Sequence, residues 1–98
     1  MTKSDFHVPS EHPCYKDHFP NNTLVPGALT IQWLIELCEQ KGITINAVKS
    51  AKFLSTLHPG NHCQVETQET DSLIKIKLLR EKQTIMQATL IKQPIQIN

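Results

Sequence analysis

His18-Phe19-Pro20-Asn21-Asn22-Thr23-Leu24-Val25-Pro26-Gly27 is the stretch whose reading decides the fold. It sets a histidine on a Pro-bounded loop and a Pro-Gly pair at the mouth of a strongly hydrophobic segment, Ala28 to about Gln40. Pro fits the start of a helix because its fixed φ is pre-organised and its missing N–H has no intrahelical role there. A helix entrance also presents unpaired backbone N–H groups and the positive end of the macrodipole. A histidine beside it can move a proton near neutral pH. A base next to an anion-stabilising amide is the pairing that enolate or oxyanion chemistry needs.

The segment after Gly27 has the period of a helix. At about 100° per residue, Ile31, Trp33, Leu34, Ile35, Leu37 and Cys38 form one arc wider than a surface stripe. Gln32, Glu36, Glu39 and Gln40 gather on the remaining side. A helix apolar over more than half its girth is expected to be enclosed rather than laid on a surface. Lys41-Gly42 ends it, with Gly42 suited to a left-handed cap.

Beyond the helix the period becomes two. Val48 to Leu57 places Ala51, Phe53, Ser55 and Leu57 on one face, with Lys52 opposite. His58-Pro59-Gly60-Asn61 reads as a turn. Cys63, Val65 and Thr67 alternate with polar residues, as do Ile74, Ile76 and Leu78. After a hairpin turn at Arg80 to Lys82, so do Thr84, Met86, Ala88 and Leu90. The expected architecture is α+β: one central helix followed by three or four antiparallel strands that curl around it. Upstream, Phe6-His7-Val8 could be a short strand stopped by Pro9, Met1 to Asp5 is expected to fray, and Ser10 to Asp17 reads as an ordered loop.

Bulk properties narrow the function. The chain has 98 residues, enough for one domain, and a core that small is often reinforced by dimerisation. Net charge is +1 with both signs interspersed, which makes no case for nucleic acid or an anionic membrane. Nothing resembles a signal peptide or a membrane span, so the cytoplasm is the expected compartment. The three cysteines, Cys14, Cys38 and Cys63, have no paired spacing. His12-x-Cys14 and His62-Cys63 raise a metal reading, but compact ligand pairs are absent, and Pro59-Gly60 rules out a helix carrying His58 and His62. Neither a metal nor another cofactor is expected.

These motifs resemble the hot-dog fold and, within it, the beta-hydroxyacyl-ACP dehydratases of the FabZ and FabA type. That family carries Gly-His-Phe-Pro, a five-residue spacer, then Pro-Gly and a helix; here His18-Phe19-Pro20 is followed by five residues and Pro26-Gly27. Glu11-His12-Pro13-Cys14-Tyr15 is similar to the family's Asn-Glu-Pro-aromatic-aromatic block just upstream. Phe53, five residues, then Pro59-Gly60-Asn61 is similar to its Phe, five residues, Pro-Gly-Asp. The likeness runs from about Val8 to Lys92, with fewer residues before it than in typical members.

The resemblance implies a site. His18 would be the base that removes the substrate's alpha proton, and the Gly27 N–H would bind the thioester carbonyl. Phe19 and Pro26 would shape the substrate groove between them. The helix acid, which the neighbouring subunit supplies in this family, falls on Gln32. Glutamine can hydrogen-bond a departing hydroxyl but has no proton to give at neutral pH. Glu36, one turn along on the same side, is the alternative carboxylate. Asp17 stands where the family has Gly.

The implied substrate is a (3R)-hydroxyacyl thioester of acyl carrier protein or coenzyme A, in fatty-acid or polyketide-type synthesis. The implied assembly is a homodimer or a higher even oligomer. Two further readings of the same fold are a thioesterase using Glu36 and a non-catalytic acyl-binding subunit. His7, His12, His58 and His62 read as surface or turn residues, and Trp33 as a core or interface anchor.

Overall fold

The computed structural model describes residues 2–12 and 25–93. His18, Phe19 and Asp17, with the rest of residues 13–24, lie outside the described residues. The described elements are β1 (Thr2–His7), α1 (Gly27–Gln40), β2 (Ile45–Phe53), β3 (His62–Glu69), β4 (Leu73–Arg80) and β5 (Gln83–Lys92). The strands form one antiparallel sheet in the order β1-β3-β4-β5-β2, with α1 against one face. This is the expected α+β arrangement, one helix and an antiparallel sheet, of the hot-dog fold.

The alternating residues stack in rows across the sheet because cross-strand partners share a face. Val65 pairs with Leu78, Leu78 with Met86, and Met86 with Phe53. The next row runs Thr67, Ile76, Ala88, Ala51, and the third Ile74, Leu90, Val48. In β3, β4 and β5 these rows are buried except at Thr67, which is half-buried: Val65, Leu78, Met86, Ile76, Ala88, Ile74 and Leu90 form the core with Cys63 and Ile85. In β2 they are not: Val48 is 42% exposed and Phe53 48%.

Ile85 is the departure from alternation. The ladder slips between Leu78 and Leu79, so that Leu78 pairs with Met86 and Leu79 with Thr84. A bulge inserts one unpaired residue into a strand. Ile85 and Met86 are therefore both buried although adjacent. The Ile85 carbonyl, left without a ladder partner, accepts from the N–H groups of Leu54 (2.8 Å) and Ser55 (3.2 Å).

α1 buries the stripe Thr30, Leu34 and Cys38. Leu29, Ile31, Trp33, Ile35 and Leu37 are only partly covered. Among the described residues the helix is therefore not enclosed as its wide apolar arc predicts; the sheet covers its centre line and leaves both flanks half covered. The C-terminus closes as expected. Gly42 sits at φ 84°, its N–H donates to Glu39 O at 3.0 Å, and Ile43 N donates to Cys38 O at 3.0 Å. That pair of bonds is the Schellman arrangement.

Three expected boundaries move. Thr2 to Asp5 does not fray; it extends β1, paired residue by residue with β3 from Thr2 with Thr67 to His7 with His62. β2 begins at Ile45, with irregularities between Ile45 and Ala47 and between Val48 and Ser50, and it ends at Phe53. Ser55 and Leu57 lie in the following loop, where Leu57 is buried.

Candidate functional site

Pro26 is the N-cap of α1, at φ −59° and ψ 141°, and Gly27 is the first helical residue. The Pro26 carbonyl accepts from Leu29 N (3.1 Å), Thr30 N (3.2 Å) and Thr30 Oγ1 (3.3 Å). The first amides of a helix have no intrahelical acceptor, so the Gly27 N–H is geometrically suited to meet an incoming oxygen. Upstream, Val25 N donates to Leu57 O at 2.8 Å, which ties the helix entrance to the loop after β2.

Between these elements lies a cavity of about 240 Å³. Gly27, Val25 and Thr30 form one wall, Ser55, Thr56 and Leu57 the other, and Leu78, Ile85 and Met86 the floor. Phe53 stands over the helix entrance: a Cβ on Gly27 would lie 2.8 Å from Phe53 Cζ. Any larger residue here would have to displace the Phe53 ring. The setting is an apolar slot with a few hydroxyls and one helix-entrance amide, as small-ligand sites generally are.

The loop wall is braced from several sides. Arg80 Nη1 donates to Thr56 O (2.9 Å) and to Asn61 Oδ1 (3.0 Å). His58 N donates to the same Asn61 oxygen at 2.9 Å, and Asn61 N to His58 O at 3.1 Å, which closes the expected turn with Gly60 at φ 83°. Gly60 N reaches Val8 O and Val8 N reaches Asn61 O, so the chain after β1 holds the loop from outside. Arg80 as a brace and Phe53 as a cover were not evident from the sequence. Their roles depend on residues far away in the chain, although Phe53 was marked by its motif.

Gln32 and Glu36 stand together but apart from this cavity. Gln32 Nε2 donates to Glu36 Oε1 at 3.4 Å, and both side chains are exposed. Two positions along a helix is roughly 200° of turn, so Gln32 faces away from Thr30 and the cavity wall of its own chain. Of the sequence-predicted site residues, Pro26 and Gly27 belong to the helix entrance, Gln32 and Glu36 to the outer face of α1, and His18 and Phe19 lie outside the described residues.

The other histidines are peripheral. His7 stacks on His62 with ring centroids 4.1 Å apart, and His62 Nε2 lies 3.5 Å from Asp5 Oδ1. His12 meets Trp33 edge-on at 5.8 Å, and Phe6 packs on the same indole at 5.9 Å. A second cavity, about 330 Å³, opens at the far end of α1 beside Cys38, Lys41 and Glu69. Cys38 and Cys63 are free, buried thiols, and burial pushes both pKa values up.

Comparison with known proteins agrees with this architecture. The solved dehydratase heterocomplex ApeI:P from Xenorhabdus doucetiae is similar at a TM-score of 0.73 and 21% identity, over 92% of this chain and 84% of that one. An uncharacterised protein from Erwinia carotovora is similar at 0.73 and 18%, over 95% and 82%. A gentisyl-coenzyme A thioesterase is similar at 0.68 and 14%, over 93% and 87%. At such identities these likenesses concern the fold alone. A search of curated protein sequences returned no match. A family model described as ApeI dehydratase matches residues 1–89. With the match spanning nearly all of β1 to β5, the chain belongs to the ApeI-like dehydratase family.

Proposed function

We propose that this chain is a subunit of a (3R)-hydroxyacyl-thioester dehydratase. The observation that carries the reading is the helix-entrance amide of Gly27 on the wall of a narrow, apolar-floored cavity. In the proposed reaction the Gly27 N–H and the α1 dipole hold the thioester carbonyl and stabilise the enolate oxygen. His18, eight residues before Pro26, takes the alpha proton. The enolate electrons form the alpha–beta double bond as the beta C–O bond breaks. The departing hydroxyl takes its proton from a carboxyl group on the α1 of the neighbouring subunit, Glu36 acting through a water where that subunit is a second copy, and leaves as water. The acyl group lies towards Leu78, Ile85 and Met86.

A second subunit completes the site. β2 is an edge strand exposed along nearly its whole length, and its inward row of Val48, Ala51 and Phe53 is uncovered. A partner strand added there would continue the sheet and bring the partner's α1 alongside, with its outer face towards this cavity. Gln32 and Glu36 lie on that outer face. The partner is a second copy of this chain, or a different protein as in the dehydratase heterocomplex ApeI:P, in which case the missing acid would come from that other subunit.

Loss of water from a (3R)-hydroxyacyl thioester, followed through the conjugated enoyl product, tests the proposal. Wild type should turn over and His18→Ala should lose at least about 10²-fold, the lower end of what acid–base help contributes. Gln32→Glu should raise the rate by restoring a proton donor. An unchanged rate in His18→Ala would overturn the assignment of the base. Release of free thiol with no enoyl product would favour the thioesterase reading, and acyl binding with no turnover the non-catalytic one.

A further inference from the structure

We infer that Leu34 is the end wall of the acyl slot, a specificity-determining residue that sets the longest chain the site accepts. The inference rests on the proposed acyl-thioester reading and adds a substrate limit to it. Two cavities lie between α1 and the sheet, one of about 240 Å³ at the helix entrance and one of about 330 Å³ at the far end. Thr30 lines the first and Cys38 the second. Thr30, Leu34 and Cys38 form the buried stripe of α1, about one turn apart from each other. Leu34 therefore stands between the two cavities, 1% exposed and lining neither.

The floors of the cavities meet on the sheet. Leu78 belongs to the first floor, and its cross-strand partner Val65 to the second. Directly paired side chains on one face stand only about 4.5–5.5 Å apart, so no further row of residues separates the floors. Along β4 the next inward residue from Leu78 is Ile76, which also lines the second cavity. Leu34 shares one buried core cluster with Val65, Ile76 and Leu78. The partition is thus a single leucine side chain above the Val65–Leu78 pair. It lies over β3 and β4, and β5 separates it from the β2 edge where a partner strand would add. Its burial is therefore the same in the proposed dimer as in one chain.

An acyl chain held by its carbonyl at Gly27 and running over Leu78 meets Leu34 at the end of the first cavity. Beyond it the second cavity offers Leu37, Ile43, Ile74 and Ile76 to a longer chain. One turn of α1, about 5.4 Å or roughly four methylenes of extended chain, separates Leu34 from Cys38. Leu34→Ala removes the partition. Cys38→Met then refills the second cavity, since methionine adapts to irregular gaps. Leu34→Val deletes one methylene at small cost to the core, and carries the test if Leu34→Ala does not fold.

Calorimetry with non-reactive acyl-pantetheine thioethers of increasing chain length tests this on wild type, the two Leu34 variants and Leu34→Ala with Cys38→Met. Values of kcat/KM for the matching hydroxyacyl thioesters are measured in parallel, and thermal melting shows which variants are folded. In wild type the Kd should fall about fourfold per added methylene, the worth of a buried methylene, up to a cut-off and then rise. Leu34→Ala should move the cut-off out by roughly four carbons, and Leu34→Val by about one. Chains just past the wild-type limit should bind at least about tenfold tighter to Leu34→Ala. Adding Cys38→Met should bring the cut-off back. A cut-off unmoved in the folded Leu34 variants overturns the end wall, and wild-type turnover in that case leaves the dehydratase reading intact. A shifted cut-off with no turnover in any variant keeps the end wall and overturns the dehydratase reading. A long cut-off that persists with Cys38→Met, or no thioether binding by any variant, overturns the inference.

Discussion

Gly27→Ala separates the packing at the helix entrance from its chemistry. The new methyl would stand 2.8 Å from Phe53 Cζ, roughly 0.7 Å inside an ordinary carbon–carbon contact of about 3.5 Å. The ring is half exposed, so it can swing aside, at the loss of part of its burial. Full burial of a Phe is worth about 1.5–3 kcal/mol, and losing about half of it costs on the order of 1 kcal/mol. Replacing a helical Gly by Ala returns roughly 0.5–1 kcal/mol. The two nearly cancel. Gly27→Ala should therefore melt within about 4–8 °C of wild type, the shift that 1 kcal/mol produces in a domain of this size. In a Phe53→Ala background the clash is absent, and the same substitution should become stabilising by roughly 0.5–1 kcal/mol. On the proposed function, turnover should fall by about 10²–10³, the usual loss of an oxyanion donor, because the methyl fills the approach to the amide. Thermal melts of the four proteins in the cycle, with dehydration rates, measure all of this. An equal effect of Gly27→Ala in both backgrounds would refute the contact. Undiminished turnover would refute the role of the amide.

Glu81 and Lys82 both adopt positive φ, 51° and 68°, in the turn between β4 and β5. Non-glycine residues there cost about 1–2 kcal/mol each, so Glu81→Asn with Lys82→Gly should raise the melting temperature by at least about 4 °C. Burial raises both Cys38 and Cys63 from the ordinary thiol value of 9.0. Above that value an unfolded chain has already lost protons that the folded chain keeps, so stability should fall as pH climbs through and beyond about 9, and not below it. Chemical denaturation at stepped pH measures this, and replacing both cysteines by Ala should flatten the dependence. Val48→Asp puts a charge on the uncovered inward row of β2. Sedimentation should show a shift towards monomer with the fold retained by circular dichroism, and an unchanged assembly would exclude this strand as the interface.

What could be read from the chain was whatever a local period carries. The helix, its glycine stop and the alternating rows of β3, β4 and β5 repeat at fixed spacing, because each faces a single apolar environment. β1 escaped notice from Thr2 to Asp5 because that segment is polar, and only its ladder with β3 makes it a strand. β2 was placed too late because two irregularities break its alternation. Its alternation also seemed to run on to Leu57, where the chain has already left the sheet to satisfy Ile85 O. Of the candidate site, the Pro26-Gly27 helix entrance was legible from spacing. The ring of Phe53 on Gly27 and the Arg80 brace were not, since they join residues 26 and 24 positions apart.

The mismatch between sequence and single chain is itself informative. α1 is apolar over a wider arc than its own sheet covers, and the apolar rows of the sheet run on to β2 after the helix has ceased to shield them. Both surpluses meet where the entrance of α1 approaches the end of β2, at Gly27 and Phe53. Apolar surface is removed from water at roughly 25 cal/mol per Å², so a sequence that keeps a row through Val48, Ala51 and Phe53 is patterned for a surface that will be covered. On the proposed reading one partner subunit covers both excesses at once. The same placement sets the outer face of the partner's α1, with the position that falls on Gln32, against a cavity that Gln32 of the same chain cannot face. The apolar pattern and the acid position then have one geometric cause, and a partner that fails to cover β2 would leave the two without a common explanation.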